Sequence, residues 1–526
     1  MNPGDPVLLG NQLVNSGHLG IYVHDFLEGT YTINGLDIGG QTNAAYIVDY
    51  DVDIPATAGV TITPGTVFKF SGYYAKLSVR GGLKATGTAN TRIIFTSIYD
   101  NSASGNTNYN TGDDPIGNKW RGIEFYGSSA DTNLLKNCEI RYINDRITMT
   151  NCSVELDSIL LNFSNTHALG IYGSANPVIT NSAFNNLDDA PIHMDMFADP
   201  TFSGNTVANV SRMAISINGG TVSGTVPARS FAGHDSITYL IFETMRVDDQ
   251  LTIPAGLTFK GNGSSYWNSY GTLNVNGDPD RPVVFTSLQD DEYGNPKDTE
   301  LNGQGTIYDD GNRILFRDIS SESSSVNNAI FRYSNSYAIH MASVSPTIKN
   351  STFHNTNTCG LYLVGTAAPT VDSCVFNDLE YPIITSLMTF PGSHQGNVIS
   401  GSTARGIFII DNETLTQNYT LTKKSFAGIE NIPYIFDRYI VGTSAVLTIE
   451  PGSILKFIGN GYLNVRNGLI ANGGSTPDSA IIFTADTDDF YGGDTYADGD
   501  ANQPNRQWWR GIYFPQESID ASSMLN

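Results

Sequence analysis

The sequence predicts an all-β chain wound as a right-handed parallel β-helix, a solenoid carrying long acidic loop insertions. Three observations predict it: a short repeat of about 22 residues, a longer repeat of about 193 residues that contains it, and a composition rich in turn and strand formers.

The short repeat is clearest in consecutive windows: "YAIHMASVSPTIKNSTFHNTNT" (337–358), "CGLYLVGTAAPTVDSCVFNDLE" (359–380), "YPIITSLMTFPGSHQGNVISGSTA" (381–404) and "RGIFIIDNETLTQNYTL" from 405. The same form stands at 167–189 and 190–212. Each window reads as a short alternating apolar strand, a turn, a second strand of the form x-P-x-I-x-N-S-x-F, and a polar turn. Alternation sends Ile, Val and Phe to one side of each strand. One window cannot bury that side alone, but stacked windows can, so parallel strands should coil around a continuous core. Equivalent residues should then form ladders. Ile140, Phe184, Phe353 and Phe376 are expected to stack inward, and Asn137, Asn151, Asn181 and Asn350 to share one turn position where Asn tolerates left-handed backbone. Cys138 and Cys152 are placed in the slot of Ser182 and Ser351. They read as small ladder residues, with a disulfide between adjacent coils as the alternative.

The long repeat divides the chain into one continuous solenoid of four parts. Residues 5–18 match 199–212, and 1–18 are expected to be the tail of a truncated repeat; 19–212 and 213–404 are full repeats; 405–526 is an incomplete third. Ile21, Ile215 and Ile407 open equivalent strands. The strings "VTITPGTVFKF", "LTIPAGLTFKG" and "LTIEPGSILKF" follow, and then "LSVRGG…IIFTS", "LNVNGDPDRPVVFTS" and "LNVRNG…IIFTA". An acidic loop comes next in each copy, closed by "WRGIEF", "NRILF" or "WRGIYF".

The formal charge is −24, from 28 Lys+Arg against 52 Asp+Glu. That balance argues against nucleic acid and anionic membranes and favours cation binding. No apolar run approaches the roughly 20 residues of a membrane span. The opening residues are no signal peptide, so the address of a secreted parent is expected to lie outside this segment.

The string "FTADTDDFYGGDTYADGDANQPNRQWWRGIYF" (483–514), together with the coils of form xGIYxxxxxPxIxNSxF, resembles secreted bacterial right-handed parallel β-helix surface proteins. These belong to the pectate-lyase-like superfamily and to the kind exported by the type IX system. The resemblance covers nearly the whole chain and implies fold and an extracellular or cell-surface location. It leaves function open, because the family contains adhesins, stalk regions and enzymes. Tyr496 departs from the pattern, which has Asn there, and Asn106 stands in the first copy where the third has Asp494.

Calcium is the first chemistry to consider. Asp488, Asp489, Asp494, Asp498 and Asp500 crowd a Gly-containing loop that suits an oxygen-loving cation, and so many carboxylates would repel without one. Asp290 and Asp291, with Asp298, form a weaker counterpart; Asp100, Asp113 and Asp114 are weaker still. The role would be structural, pinning each loop to the coils. Catalytic candidates are sparse. Asp188 and Asp189 precede His193 and Asp195, and His234 adjoins Asp235, but no acid/base pattern stands out and no residue is assigned a catalytic role. Tyr266, Trp267 and Tyr270 read as an inserted aromatic loop suited to stacking on sugar rings, or to packing over a sheet. The function expected is a non-catalytic, calcium-stabilised surface rod, structural or adhesive, with an extracellular glycan or neighbouring copies of the same chain as partners. A polysaccharide lyase or glycoside hydrolase is the alternative.

Overall fold

The computed structural model describes residues 18–25, 27–38, 41–108, 113–127, 133–263, 265–303, 311–499, 501–516, 518 and 523–525, and every regular element among them is a strand. The chain forms two compact units. One comprises Met1–Asn218, Pro227–Leu240 and Asp291–Gly305; the other comprises Gly219–Val226, Ile241–Asp290 and Thr306–Asn526.

In the first unit each coil contributes one strand to each of three parallel sheets. Asn133–Lys136, Cys138–Ile143 and Ile147–Thr150 make one such coil; Val154–Asp157, Leu160–Ser164 and Leu169–Tyr172 make the next. The registers run straight along the stack: Phe95 pairs with Ile140, Ile140 with Leu161, Leu161 with Phe184, and Phe184 with Val207. Ile140 and Phe184 are wholly buried, as expected.

The second unit repeats the scheme. Thr258–Gly261, Val283–Ser287, Ala329–Arg332, Thr352–His354 and Val375–Asn377 pair in parallel. Their central residues, Phe259, Phe285, Phe331, Phe353 and Phe376, are fully buried and stack ring on ring at 4.9–5.5 Å. That distance is set by strand spacing, about 4.8 Å between hydrogen-bonded neighbours. Aromatic side chains fill the core here because identical residues in register meet at stacking distance with no rotamer conflict.

Left-handed turns recur as ladders. Asn137, Asn181 and Asn350 have φ of 47°, 51° and 50°, each at the corner that Ser158, Asn328 and Ser373 occupy in other coils. Asn151, also left-handed at φ 53°, lies on a different corner, between Ile147–Thr150 and Val154–Asp157. The next coil places Gly173 at that corner, where a Cβ would meet the Asn151 Oδ1 at 2.0 Å. Cys138 keeps the predicted slot, Cys374 occupies the same slot in the second unit, and Cys152 follows Asn151 to the other corner. All four cysteines are free and buried, so the small-residue reading holds over the disulfide.

The long repeat is visible as strand pairing, with one correction. Lys76–Val79 pairs with Gly122–Tyr126, and the "LNV" end of Ile454–Val465 with Gly511–Tyr513. In the second copy that place is taken by Tyr266–Ser269, paired with Arg313–Phe316. Leu273 and Val275 lie one strand later, in Thr272–Asn276, the counterpart of Gly82–Thr86. Tyr266–Ser269 is therefore a strand of the repeat, not part of an inserted loop. The repeat also holds a whole number of coils plus one strand: Ile21 and Ile215 lie in different sheets of the first unit, and Thr258–Gly261 and Ile454–Val465 in different sheets of the second.

Candidate functional site

The acidic loops are built on one scheme, and its centre is a residue type the apolar strands conceal. Lys69, Lys260 and Lys456 stand at the same place in the three copies, fully buried. Each lies across the strand pair from a threonine: Lys69 from Thr96, Lys260 from Thr286, Lys456 from Thr484. The Lys456 Nζ donates to the carbonyls of Asp488 and Gly493 at 2.9 and 2.8 Å and to the Thr495 hydroxyl at 2.6 Å. Lys69 Nζ donates to the Gly105 carbonyl at 2.7 Å, and Lys260 Nζ to the Asp290 carbonyl at 2.6 Å. Burial pushes the Lys456 ammonium down to about 8, against the pull of Asp488 and Asp489. Lys69 is pushed to about 8 in the same way.

The threonine opposite each lysine donates its hydroxyl to an aspartate four residues on, Thr96 to Asp100, Thr286 to Asp290 and Thr484 to Asp488. In the first two copies an arginine of the following coil closes the arrangement: Arg141 lies 3.1 Å from Asp100, and Arg332 lies 3.3 Å from Asp290. Burial opposes charge on Asp100, but hydrogen bonds from Ser102 and Thr96 and the Arg141 charge hold its carboxyl below the usual range. A second threonine carbonyl ties each loop to the strand that opens its repeat. Thr107, Thr299 and Thr495 accept from the amides of Leu19, Met213 and Arg405 at 2.8, 2.7 and 2.6 Å. Tryptophans close the first and third loops. Trp120 stacks on Phe70 at 3.8 Å, Trp509 on Phe457 at 4.4 Å, and Trp508 Nε1 donates to Asp486.

This scheme sorts the predicted cation ligands. Asp488 and Asp290 belong to the loop's own scaffold, with carboxylates already held by Thr484 and by Thr286 and Arg332. Asp500 lies outside the described residues. Asp489, Asp494 and Asp498 converge, with one carboxylate oxygen of each within 4.8 Å of the others. Asp489 Oδ2 is buried without a hydrogen-bond partner. Burial, reinforced by Asp494 and Asp498 and opposed by Lys456, pushes the Asp489 carboxyl up. Asp494 is aimed by its own turn, accepting from the amides of Asp498 and Gly499 at 3.2 and 2.9 Å. Asp298 makes the same turn in the second copy, with the amides of Asn302 and Gly303. By position in the sequence, Asn101, Asn106 and Asn110 (the last outside the described residues) correspond in the first copy; in the second, Asp291 follows the lysine-bound carbonyl of Asp290, and the shared turn matches Asp298 and Asn302 to Asp494 and Asp498. The number of carboxylates at these matching positions thus rises from none to two to three. Three carboxylates suit a hard divalent cation such as calcium, which takes oxygen ligands and tolerates irregular geometry.

The aromatic candidates fall elsewhere. Trp267 is fully buried against Phe259 and Phe285, so it offers no face to a sugar. Tyr266 and Tyr270 are half-buried, with Arg313 and Arg246 over their rings at 5.6 and 4.1 Å. Their sheet carries a further outward cluster in which His340 packs between Tyr337 and Tyr362 at 5.3 Å from each. Burial, with Arg317 adding to it, pushes His340 down to about 4. An unfolded histidine takes its proton near pH 6.5, so in the window from 6.5 toward 4 the unfolded chain binds more protons and stability falls on acidification. His340→Leu is expected to reduce that fall, measured as the difference in urea midpoint between pH 7 and pH 5.

Asp189 and His193 meet residues the sequence did not single out. Tyr172 OH and Arg146 Nη1 lie 2.7 and 3.1 Å from His193 Nδ1, and Arg212 pairs with Asp189 at 2.7 Å. Burial keeps neighbouring His167 neutral. His234 bonds to Asn295, and Asp195 accepts from Gly173 N and Asn218 Nδ2.

The family model described as a right handed beta helix region matches residues 300–433. The fold is a right-handed β-helix. The matched stretch contains the Phe331, Phe353 and Phe376 coils of the phenylalanine ladder. No curated protein and no solved structure matches the chain. No helix among the described residues is long and apolar enough to cross a membrane.

Proposed function

We propose that this β-helix is a non-catalytic extracellular or cell-surface module, structural or adhesive, whose third acidic loop is closed by a calcium ion. The observation that carries the reading is the convergence of Asp489, Asp494 and Asp498 over a loop already tied down by Lys456. Lys456 supplies one positive charge beneath three carboxylates, so the site keeps a net negative charge that a divalent cation offsets. Calcium at a hundred times its dissociation constant should stabilise the loop by about 2.7 kcal/mol. Proteolysis or hydrogen exchange across residues 486–510 should slow in calcium and accelerate in chelator, and Asp494→Asn should remove the difference. Equal protection in calcium and chelator would sink the cation.

One observation favours the enzymatic alternative. Arg146, Tyr172 and His193 come together on one sheet face of the first unit, a charge neutraliser beside two proton-transferring groups. In this reading the substrate is an acidic polysaccharide cleaved by elimination. Unsaturated products from a uronate-containing glycan, lost in Tyr172→Phe, would support it; no product from any acidic glycan would remove it.

A further inference from the structure

The outward face of one sheet in the second unit carries a strip of tyrosines and arginines. Tyr266–Ser269, Arg313–Phe316, Tyr337–Ala342 and Cys359–Val364 pair in that order. Trp267 and Ile314 are fully buried, so Tyr266 and Arg313, one residue earlier on each strand, point away from the core. The Arg313 guanidinium lies between two rings, 5.6 Å from Tyr266 and 5.3 Å from Tyr337. Tyr337 in turn lies 5.5 Å from Tyr362, with His340 at 5.3 Å from both. Arg317 stands just past the end of the Arg313 strand, where its Nε donates to Asn268 Oδ1 at 2.5 Å.

Two features of the strip point to an anionic partner. The chain carries 52 acidic residues against 28 basic ones, yet neither Arg313 nor Arg317 pairs with a carboxylate among the described residues. Asp248 is held by Arg246 at 2.7 Å. The groups that would meet a partner are also within its reach. Of the Arg313 nitrogens only Nε is sealed from solvent, while Nη1 and Nη2 are open and unpaired among the described residues. The Nη atoms of Arg317 and the hydroxyls of Tyr266, Tyr337 and Tyr362 are open and unpaired in the same way. The two rings fix the plane of the Arg313 guanidinium, which preorganises its fork. His340 is pushed down to about 4 by burial and by Arg317, so at neutral pH the positive charge of the strip is that of its arginines.

We infer that this strip docks an extended acidic segment of a partner protein. Tyr and Arg are enriched where protein interfaces draw most of their binding energy. An arginine fork takes an Asp or Glu carboxylate through two parallel hydrogen bonds. Four strand residues separate Arg313 from Arg317, a span of about 13 Å. An extended segment therefore meets both arginines when its acidic residues stand four apart. Arg313 covers one face of Tyr266 and one of Tyr337, and Tyr362 packs against Tyr337, which leaves little ring face for a sugar to stack on. The inference deepens the adhesive half of the reading above and rests on it, but not on the calcium ion.

The test is fluorescence anisotropy of the labelled peptide Gly-Glu-Val-Thr-Val-Glu-Gly titrated with the full chain. The peptide should bind saturably and more weakly as salt is raised, and the same peptide with Gln for Glu should not bind. Arg313→Gln and Arg317→Gln should each weaken binding roughly tenfold, as expected for the loss of a charged hydrogen bond. Arg313→Lys should not restore it, because an ammonium lacks the fork. Arg510→Gln makes the same change of charge at an exposed arginine outside the strip and should alter nothing. Absence of binding, equal binding of the Gln peptide, indifference to both Arg313→Gln and Arg317→Gln, or preferential binding of a galacturonate oligomer would overturn the inference. Calcium-dependent loop protection and glycan cleavage, measured on the same sample, test the wider reading separately.

Discussion

Replacing Lys456 with Met should open the third acidic loop. The ammonium is fully buried and serves two backbone carbonyls and a hydroxyl at once. Hydrogen bonds to charged groups contribute about 1.5–3 kcal/mol each, and acceptors left unpaired in a buried place lose more than the bond itself. Methionine fills the volume but donates nothing. The expected loss is on the order of 3–5 kcal/mol, more than a surface loop can absorb while staying closed. Hydrogen exchange over residues 486–510 should therefore rise sharply in Lys456→Met while the strands around Phe331 keep their protection. Unchanged exchange in the loop would show that the lysine is a passenger. Lys69→Met should do the same to the first loop, where Gly105 is the acceptor.

The second large effect is in the core. Phe331 is fully buried between Phe285 at 4.9 Å and Phe353 at 5.4 Å. Phe331→Ala removes one rung and leaves Phe285 and Phe353 each stacked on one side only. Truncations of this kind cost about 3–5 kcal/mol from lost burial and the cavity left behind. In a repeat fold each coil rests on its neighbours, so the damage should centre on Val283–Ser287 and Thr352–His354, the strands on either side. Ile319→Ala, at a residue 69% exposed, should leave the urea midpoint nearly unchanged. A comparable small change for Phe331→Ala would contradict the stacked core.

Much of this was legible in the sequence, for a physical reason. An inward residue in one coil meets the same residue in the next, so the ladder of Phe353 and Phe376 is written as a plain repeat. The buried lysines were harder to read. In "VFKF" and "ILKF" alternation correctly turns Lys69 and Lys456 away from the core. What alternation cannot express is that the loop, sent out some thirty residues later, folds back over that outward face and buries it. Their recurrence at one place in three copies was the available signal. Trp267 failed for the opposite reason. Its flanks of Gly, Asn and Ser read as loop, yet pairing with Arg313–Phe316 makes it a strand and carries the indole into the core. The carboxylates divided likewise. Their clustering was plain, but which are scaffold and which converge depends on Thr484 and Lys456, contacts that no spacing states.

The divalent cation proposed at Asp489, Asp494 and Asp498 should be visible through terbium luminescence. Trp508, hydrogen-bonded to Asp486 within that loop, is placed to sensitise a lanthanide bound there. Terbium should give tryptophan-sensitised emission that saturates at one ion per chain, is displaced by calcium, and disappears in the double variant Asp494→Asn/Asp498→Asn. Emission should survive Asp298→Asn in the second loop. Absence of sensitised emission, or emission that persists in the double variant, would contradict a cation at these three carboxylates.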